Sequence, residues 1–166
     1  MLVFLIRHAE AIDETLELRD PHRHLTEQGR VQARALGERL RWHDCTPSEV
    51  WTSPLVRAVQ TAELVLATVG GQGPVLAEPA LSPGGDVRPL VQRLLAGKAS
   101  SVALVGHEPI LSGLGALLTG RADFGALGKA EAVRLDGQDG GQADGRAGFR
   151  VRWRFAWSDV APRSGG

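Results

Sequence analysis

At 166 residues and 43% hydrophobic composition, the chain suits a single α/β domain spanning 1–166 and is too apolar to be disordered throughout. Nineteen basic residues balance nineteen acidic ones, so no global field favours nucleic acid or an anionic membrane, and any anion must be held by a local pocket. The lone Cys45 can close no internal disulfide and belongs to no cysteine cluster that could hold metal, which places the expected protein in the reduced cytoplasm.

The chain opens on Leu2-Val3-Phe4-Leu5-Ile6, too short for a signal-peptide core or a membrane span and suited to a central parallel strand covered on both faces. It ends at Arg7-His8-Ala9-Glu10, and a polar loop follows with His22, Arg23 and His24. Thr26 is placed to cap a helix running to about Trp42, with Val31, Ala35, Leu36 and Leu40 on its apolar side. Val50-Trp51-Thr52 predicts a second strand. Ser53 is then expected to cap a helix that has Pro54 at its first position and stops at Gly70-Gly71. A Gly- and Pro-rich connection contains a short strand at Val75-Leu76. Asp86 is expected to cap the next helix, whose stripe is Val87, Leu90, Val91, Leu94 and Leu95. Val102-Ala103-Leu104-Val105 is another fully apolar strand, running into Gly106-His107-Glu108-Pro109 and a helix to Gly120. Beyond a strand at about 132–135, a mobile Gly-rich loop is expected at 137–148. Phe149, Val151, Trp153, Phe155 and Trp157 then alternate with Arg150, Arg152 and Arg154, the pattern of a half-buried strand with a solvated arginine face. This order predicts a three-layer α/β fold: a mostly parallel sheet flanked by helices, with C-terminal edge strands.

Arg7-His8, Arg57 and His107 all follow strands, where open parallel sheets form their ligand crevice. A helix beginning near Ser53 adds backbone N–H donors beside Arg57. These groups suit phosphate chemistry. Guanidinium forks neutralise equatorial oxygens, and an imidazole with an ordinary pKa of about 6.5 is a neutral nucleophile at pH 7. No acidic cluster suggests a two-metal phosphatase, and His22 with His24 lacks a clear third ligand. Glu10 and Glu108 are as well suited to a surface role as to orienting an imidazole, and Trp153 and Trp157 are read as packing residues.

The segments Leu5-Ile6-Arg7-His8-Ala9-Glu10, Leu25-Thr26-Glu27-Gln28-Gly29, Ser53-Pro54-Leu55-Val56-Arg57-Ala58-Val59-Gln60-Thr61-Ala62 and Val105-Gly106-His107-Glu108-Pro109 resemble, in order and spacing, the motifs of the histidine phosphatase superfamily. The short length and tail are similar to its bacterial phosphohistidine phosphatase branch. The resemblance implies a phosphoglycerate mutase-like fold, no metal and no organic cofactor. It makes His8 the phosphorylated nucleophile, with Arg7, Arg57 and His107 binding phosphate; Arg23 is a further candidate at the pocket rim. Position 9 is Ala where the motif usually has Gly. Relatives that cleave phosphate esters carry a helical insertion with an acidic proton donor. Here the stretch before residue 102 is too short for such a cap, and Glu78 is the nearest candidate acid. A missing acid suits a leaving imidazole, so a phosphohistidine-bearing signalling protein is the expected partner. The alternatives are a small phosphorylated substrate, cleaved as a phosphomonoester, or a phosphate-binding module without turnover. Neither nucleic acid nor membrane is expected as a partner.

Overall fold

The computed structural model describes residues 1–137 and 148–159; most of the loop expected at 137–148 lies outside them. The elements in order are β1 (Leu2–Arg7), α1 (Glu27–Trp42), β2 (Glu49–Thr52), α2 (Val56–Val69), β3 (Val75–Ala77), α3 (Arg88–Ala96), β4 (Ser101–Gly106), α4 (Ile110–Thr119), β5 (Glu131–Gly137) and β6 (Phe149–Ala156), with 3-10 turns at Asp20–His22 and Pro79–Leu81. The strands form one sheet in the order β3-β2-β4-β1-β5-β6. The first four are mutually parallel, and β5 and β6 add antiparallel at the β1 side.

The apolar runs of β1 and β4 have no polar face because both faces of the sheet are covered. Val3 and Leu5 pack with Leu104, with Leu90 and Leu94 of α3, and with Leu111, Leu114 and Leu118 of α4. Phe4 and Ile6 pack on the opposite side with Leu36 and Leu40 of α1 and with Ala62, Val65 and Val69 of α2. The expected three-layer architecture is therefore present.

Several local expectations need correction. Helix α2 begins at Val56 with Leu55 at its cap, so Pro54 lies before it. The Ser53 hydroxyl, 3.3 Å from the Leu55 N–H, is engaged chiefly elsewhere. In α1, Thr26 does cap, its oxygen accepting from the Gly29 N–H at 2.9 Å. Yet Val31 is exposed, and the buried face includes Gly29, Gln32, Ala33 and Gly37. That face is chosen by close approach. A Cβ at residue 29 would lie 1.9 Å from the Glu10 carbonyl oxygen, and one at residue 37 would lie 2.9 Å from that of Val65. In α3, Val87 occupies the cap position, Asp86 still accepts from the Arg88 N–H at 3.0 Å, and Leu95 is exposed.

Strand β6 departs furthest from its pattern. Its pairing with β5 shifts register between Arg134 and Leu135, which pair with Trp153 and Val151, so Arg152 is left as an extra residue. One inserted residue reverses the facing of everything beyond it. Phe149 accordingly joins the α3–α4 core, whereas Trp153 and Phe155 stack at 4.2 Å on the α1–α2 side. Arg154 lies on the exposed face as expected, where it pairs with Glu131 and donates to the carbonyls of Phe124 and Ala126. Among the described residues, no helix is long and apolar enough to cross a membrane.

Candidate active site

The C-terminal ends of three adjacent strands, β2, β4 and β1, converge because their ladders continue one residue past each strand. The His8 N–H donates to the Gly106 carbonyl at 3.1 Å, and the Ser53 N–H to that of Val105 at 2.9 Å. Ser53, His107 and the Arg7-His8 pair are thus set side by side by backbone pairing.

His8 is 7% exposed. Its Nδ1 lies 2.7 Å from the Ala9 carbonyl; a carbonyl only accepts, so Nδ1 carries the ring proton and Nε2 keeps its lone pair. Burial pushes the His8 pKa down to about 4, helped by the charges of Arg57, Arg7 and Lys129 and opposed by the bond to Ala9. The ring is therefore neutral at pH 7. Thr61 secures the next residue: its hydroxyl accepts from the Ala9 N–H at 3.1 Å and donates to the Arg57 carbonyl at 2.7 Å.

His107 faces His8, with ring centroids 4.9 Å apart and the planes tilted by 56°. Its Nε2 is 2.9 Å from the Ser53 hydroxyl. Its Nδ1 is buried without a hydrogen-bond partner among the described residues. Burial, then the neighbouring His8 and Arg57, bring its pKa down to about 3. Arg7 donates from Nη1 to the Leu127 carbonyl at 2.7 Å, while its Nε is likewise buried and unpartnered. Buried polar atoms without a hydrogen-bond partner are uncommon in folded proteins. Two of them here belong to residues expected to grip phosphate.

Arg57, in the first turn of α2, is 5% exposed. It donates from Nη1 to the Asp20 carbonyl at 2.9 Å and from Nη2 to Asp20 Oδ2 at 3.3 Å. Burial lowers its pKa and Asp20 opposes that shift. Arg23 joins the same group, donating from Nη1 to Asp20 Oδ1 at 2.9 Å and from Nε to the Ile12 carbonyl at 2.7 Å. Arg7, His8, Arg23, Arg57 and His107 are thus linked through contacts with one another, with Asp20 or through their mutual fields.

Glu78 stands apart from this network. Its Oε1 accepts from the Ala80 N–H at 3.0 Å and its Oε2 pairs with Arg93, whose guanidinium lies over Trp51 at 4.5 Å. Both oxygens serve the turn at Pro79–Leu81 and the α3 side of the sheet. Neither Glu10 nor Glu108 orients an imidazole. Glu10 accepts from the Thr26 hydroxyl at 2.7 Å. Glu108 accepts from the Leu127 N–H at 2.8 Å and the Ser112 hydroxyl at 2.6 Å, which steadies the carbonyl that Arg7 uses. Among the described residues no group of three or more His, Cys, Asp and Glu is placed to hold a metal ion, His22 and His24 included. Sequence reasoning missed Asp20 and Thr61 and took Ser53 for a cap. Only the proximity of Ser53 to the Arg57 motif marked it out.

The chain is similar in sequence or fold to several known proteins. A sequence model of the histidine phosphatase superfamily (branch 1) matches residues 3–82. An uncharacterized protein of Picosynechococcus sp. is 32% identical over 114 residues, covering 67% of this chain and 68% of that protein. The mitochondrial serine/threonine-protein phosphatase Pgam5 of Drosophila virilis is 42% identical over 64 residues, which are 39% of this chain but only 22% of Pgam5. The structure of the protein histidine phosphatase SixA complexed with tungstate shares the fold, with a TM-score of 0.83 over 95% of this chain and 97% of SixA at 24% identity.

Proposed function

The chain belongs to the histidine phosphatase superfamily, and on that premise we propose that it removes phosphate from phosphohistidine on a partner protein by way of a phosphate carried on its own His8. The observation that carries this reading is the His8 ring: Nδ1 is held by the Ala9 carbonyl, and Nε2 keeps its lone pair among the cationic groups of Arg7 and Arg57. In the first step Nε2 attacks phosphorus, and the bond from phosphorus to the leaving imidazole nitrogen breaks. That nitrogen takes its proton from solvent. In the second step water attacks the phosphorus on His8, releasing inorganic phosphate and returning Nε2 to its neutral state. Arg7, Arg57 and His107 lower the barrier by donating to the equatorial oxygens, where charge gathers. An approaching phosphate dianion favours a proton on His107, so Nδ1–H becomes a donor while Nε2 stays on Ser53.

The preference for phosphohistidine rests on the leaving group. An imidazole departs without a placed acid, whereas an alkoxide needs one, and both oxygens of Glu78 are engaged elsewhere. The likeness to SixA, described as a protein histidine phosphatase, supports the same substrate class. The test is phosphate release from a phosphohistidine-bearing protein and from a simple phosphate monoester, side by side. A strong preference for the former is expected. Equal or faster cleavage of the ester would require a proton donor and would favour a phosphomonoesterase. Absence of any phosphoenzyme would leave a phosphate-binding module.

The pH dependence of the site follows from burial. The His8 and His107 pKa values are lowered, to about 4 and about 3, so the neutral nucleophile persists as pH falls from 7 and is lost only on passing through the lowered values. The two rings lie close enough to titrate as a coupled pair. Ring NMR signals of both residues are expected to stay in the neutral form down to pH 5. A transition centred near pH 6.5, the ordinary value for histidine, would show that the rings are not desolvated as described.

A further inference from the structure

Asp20 touches two arginines at once. Its Oδ1 accepts from Arg23 at 2.9 Å and its Oδ2 from Arg57 at 3.3 Å, while its main-chain carbonyl accepts a second bond from Arg57 at 2.9 Å. We propose that Asp20 is a positioning residue for phosphate binding, holding the guanidinium groups of Arg57 and Arg23 side by side and setting which of their N–H groups face the substrate. The proposal rests on Arg57 being a phosphate ligand.

Two neighbouring guanidinium groups repel, and Arg57 is almost fully buried, where that repulsion is poorly screened. A carboxylate between them offsets it. Geometry adds a second constraint. Of the five N–H groups on a guanidinium, Arg57 spends two on Asp20, one of them on a main-chain oxygen that cannot rotate away as a side chain can. The remaining donors are therefore held in a fixed direction. Arg23 is fixed in the same way, between Asp20 and the Ile12 carbonyl. The contrary role is that of a carboxylate competing with phosphate for Arg57, displaced whenever substrate arrives. Displacement would have to break the contacts to both arginines, and the main-chain bond would still hold Arg57 in place.

The two roles have opposite signs. Orthovanadate affinity, kcat and KM would be measured for the wild type, Asp20→Ala and Asp20→Asn, together with melting temperatures. The expected result is a loss of about tenfold or more in vanadate affinity for Asp20→Ala, the scale of one charge-assisted hydrogen bond. Its kcat should fall more than KM rises, because the lost alignment matters most where charge develops. Asp20→Asn, which keeps one acceptor oxygen but neither the charge nor the second acceptor, should recover only part of the loss. Tighter vanadate binding in both variants would overturn the proposal in favour of a competing carboxylate. Values equal to wild type, or losses in step with a lowered melting temperature in both variants, would reduce Asp20 to a structural contact. If the wild type itself bound no vanadate and released no phosphate, the failure would lie with the phosphatase reading, and the present inference would fall with it.

Discussion

Replacing His8 with alanine is expected to abolish phosphate release, with kcat falling about 10⁴-fold or more, the scale seen when an activated nucleophile is removed. His107 offers no substitute despite lying within 4.9 Å, because its Nε2 is engaged by Ser53 and its Nδ1 faces no backbone carbonyl that would set the tautomer. The fold should survive, since the His8 backbone still pairs with Gly106 and the Ala130 N–H still donates to the His8 carbonyl. The check is a rapid-quench assay for an acid-labile, base-stable phosphoryl label on the peptide containing residue 8, run beside circular dichroism of the variant. A folded His8→Ala protein that kept wild-type turnover would exclude the phosphohistidine mechanism.

Arg57→Ala is expected to raise the barrier by about 3 kcal/mol, roughly a hundredfold or more in kcat/KM, by analogy with loss of one preorganised donor to a developing oxyanion. Two effects act in the same direction. The equatorial oxygens lose a forked donor, and Asp20, left with Arg23 alone, presents more of its negative charge to the substrate. Arg57→Lys should recover little, because a single ammonium cannot meet both Asp20 and a phosphate oxygen in the forked geometry. Steady-state kinetics on the same phosphohistidine protein would decide. A change below twofold would make Arg57 a structural residue of α2.

The parts of this site visible in the sequence are those that chain direction alone determines. An apolar run covered on both faces must end where the sheet ends, so the first polar residues beyond the apolar runs of β1 and β4, Arg7-His8 and His107, had to lie at the crevice. Arg57 was visible through its position after β2, together with its resemblance to a known motif. The groups that complete the site were not visible, because each depends on a contact between segments far apart in sequence. Asp20 sits in a polar stretch with no periodicity, and nothing local distinguishes it from Asp13 or Glu17. Ser53 precedes a proline and a helical pattern, a setting that favours a cap, and only the pairing of β2 with β4 brings its hydroxyl to His107. Thr61 reads as an ordinary small residue on a helix face until the loop after β1 is laid against it. The face of α1 was misjudged for a related reason. Val31 is more hydrophobic than Gly29, but Gly29 alone permits the backbone of Glu10 to press against the first turn.

The extra residue at Arg152 has a consequence for how the molecule comes apart. A peripheral strand ordinarily frays, since it leans on one layer and can leave without disturbing the other. Here Phe149 is inserted on one side of the sheet and Phe155 on the other. The strand works as a rivet through both layers. Detaching it would uncover apolar surface above and below the sheet together, so β6 is tied to the same cooperative unit as the strand that leads into His8.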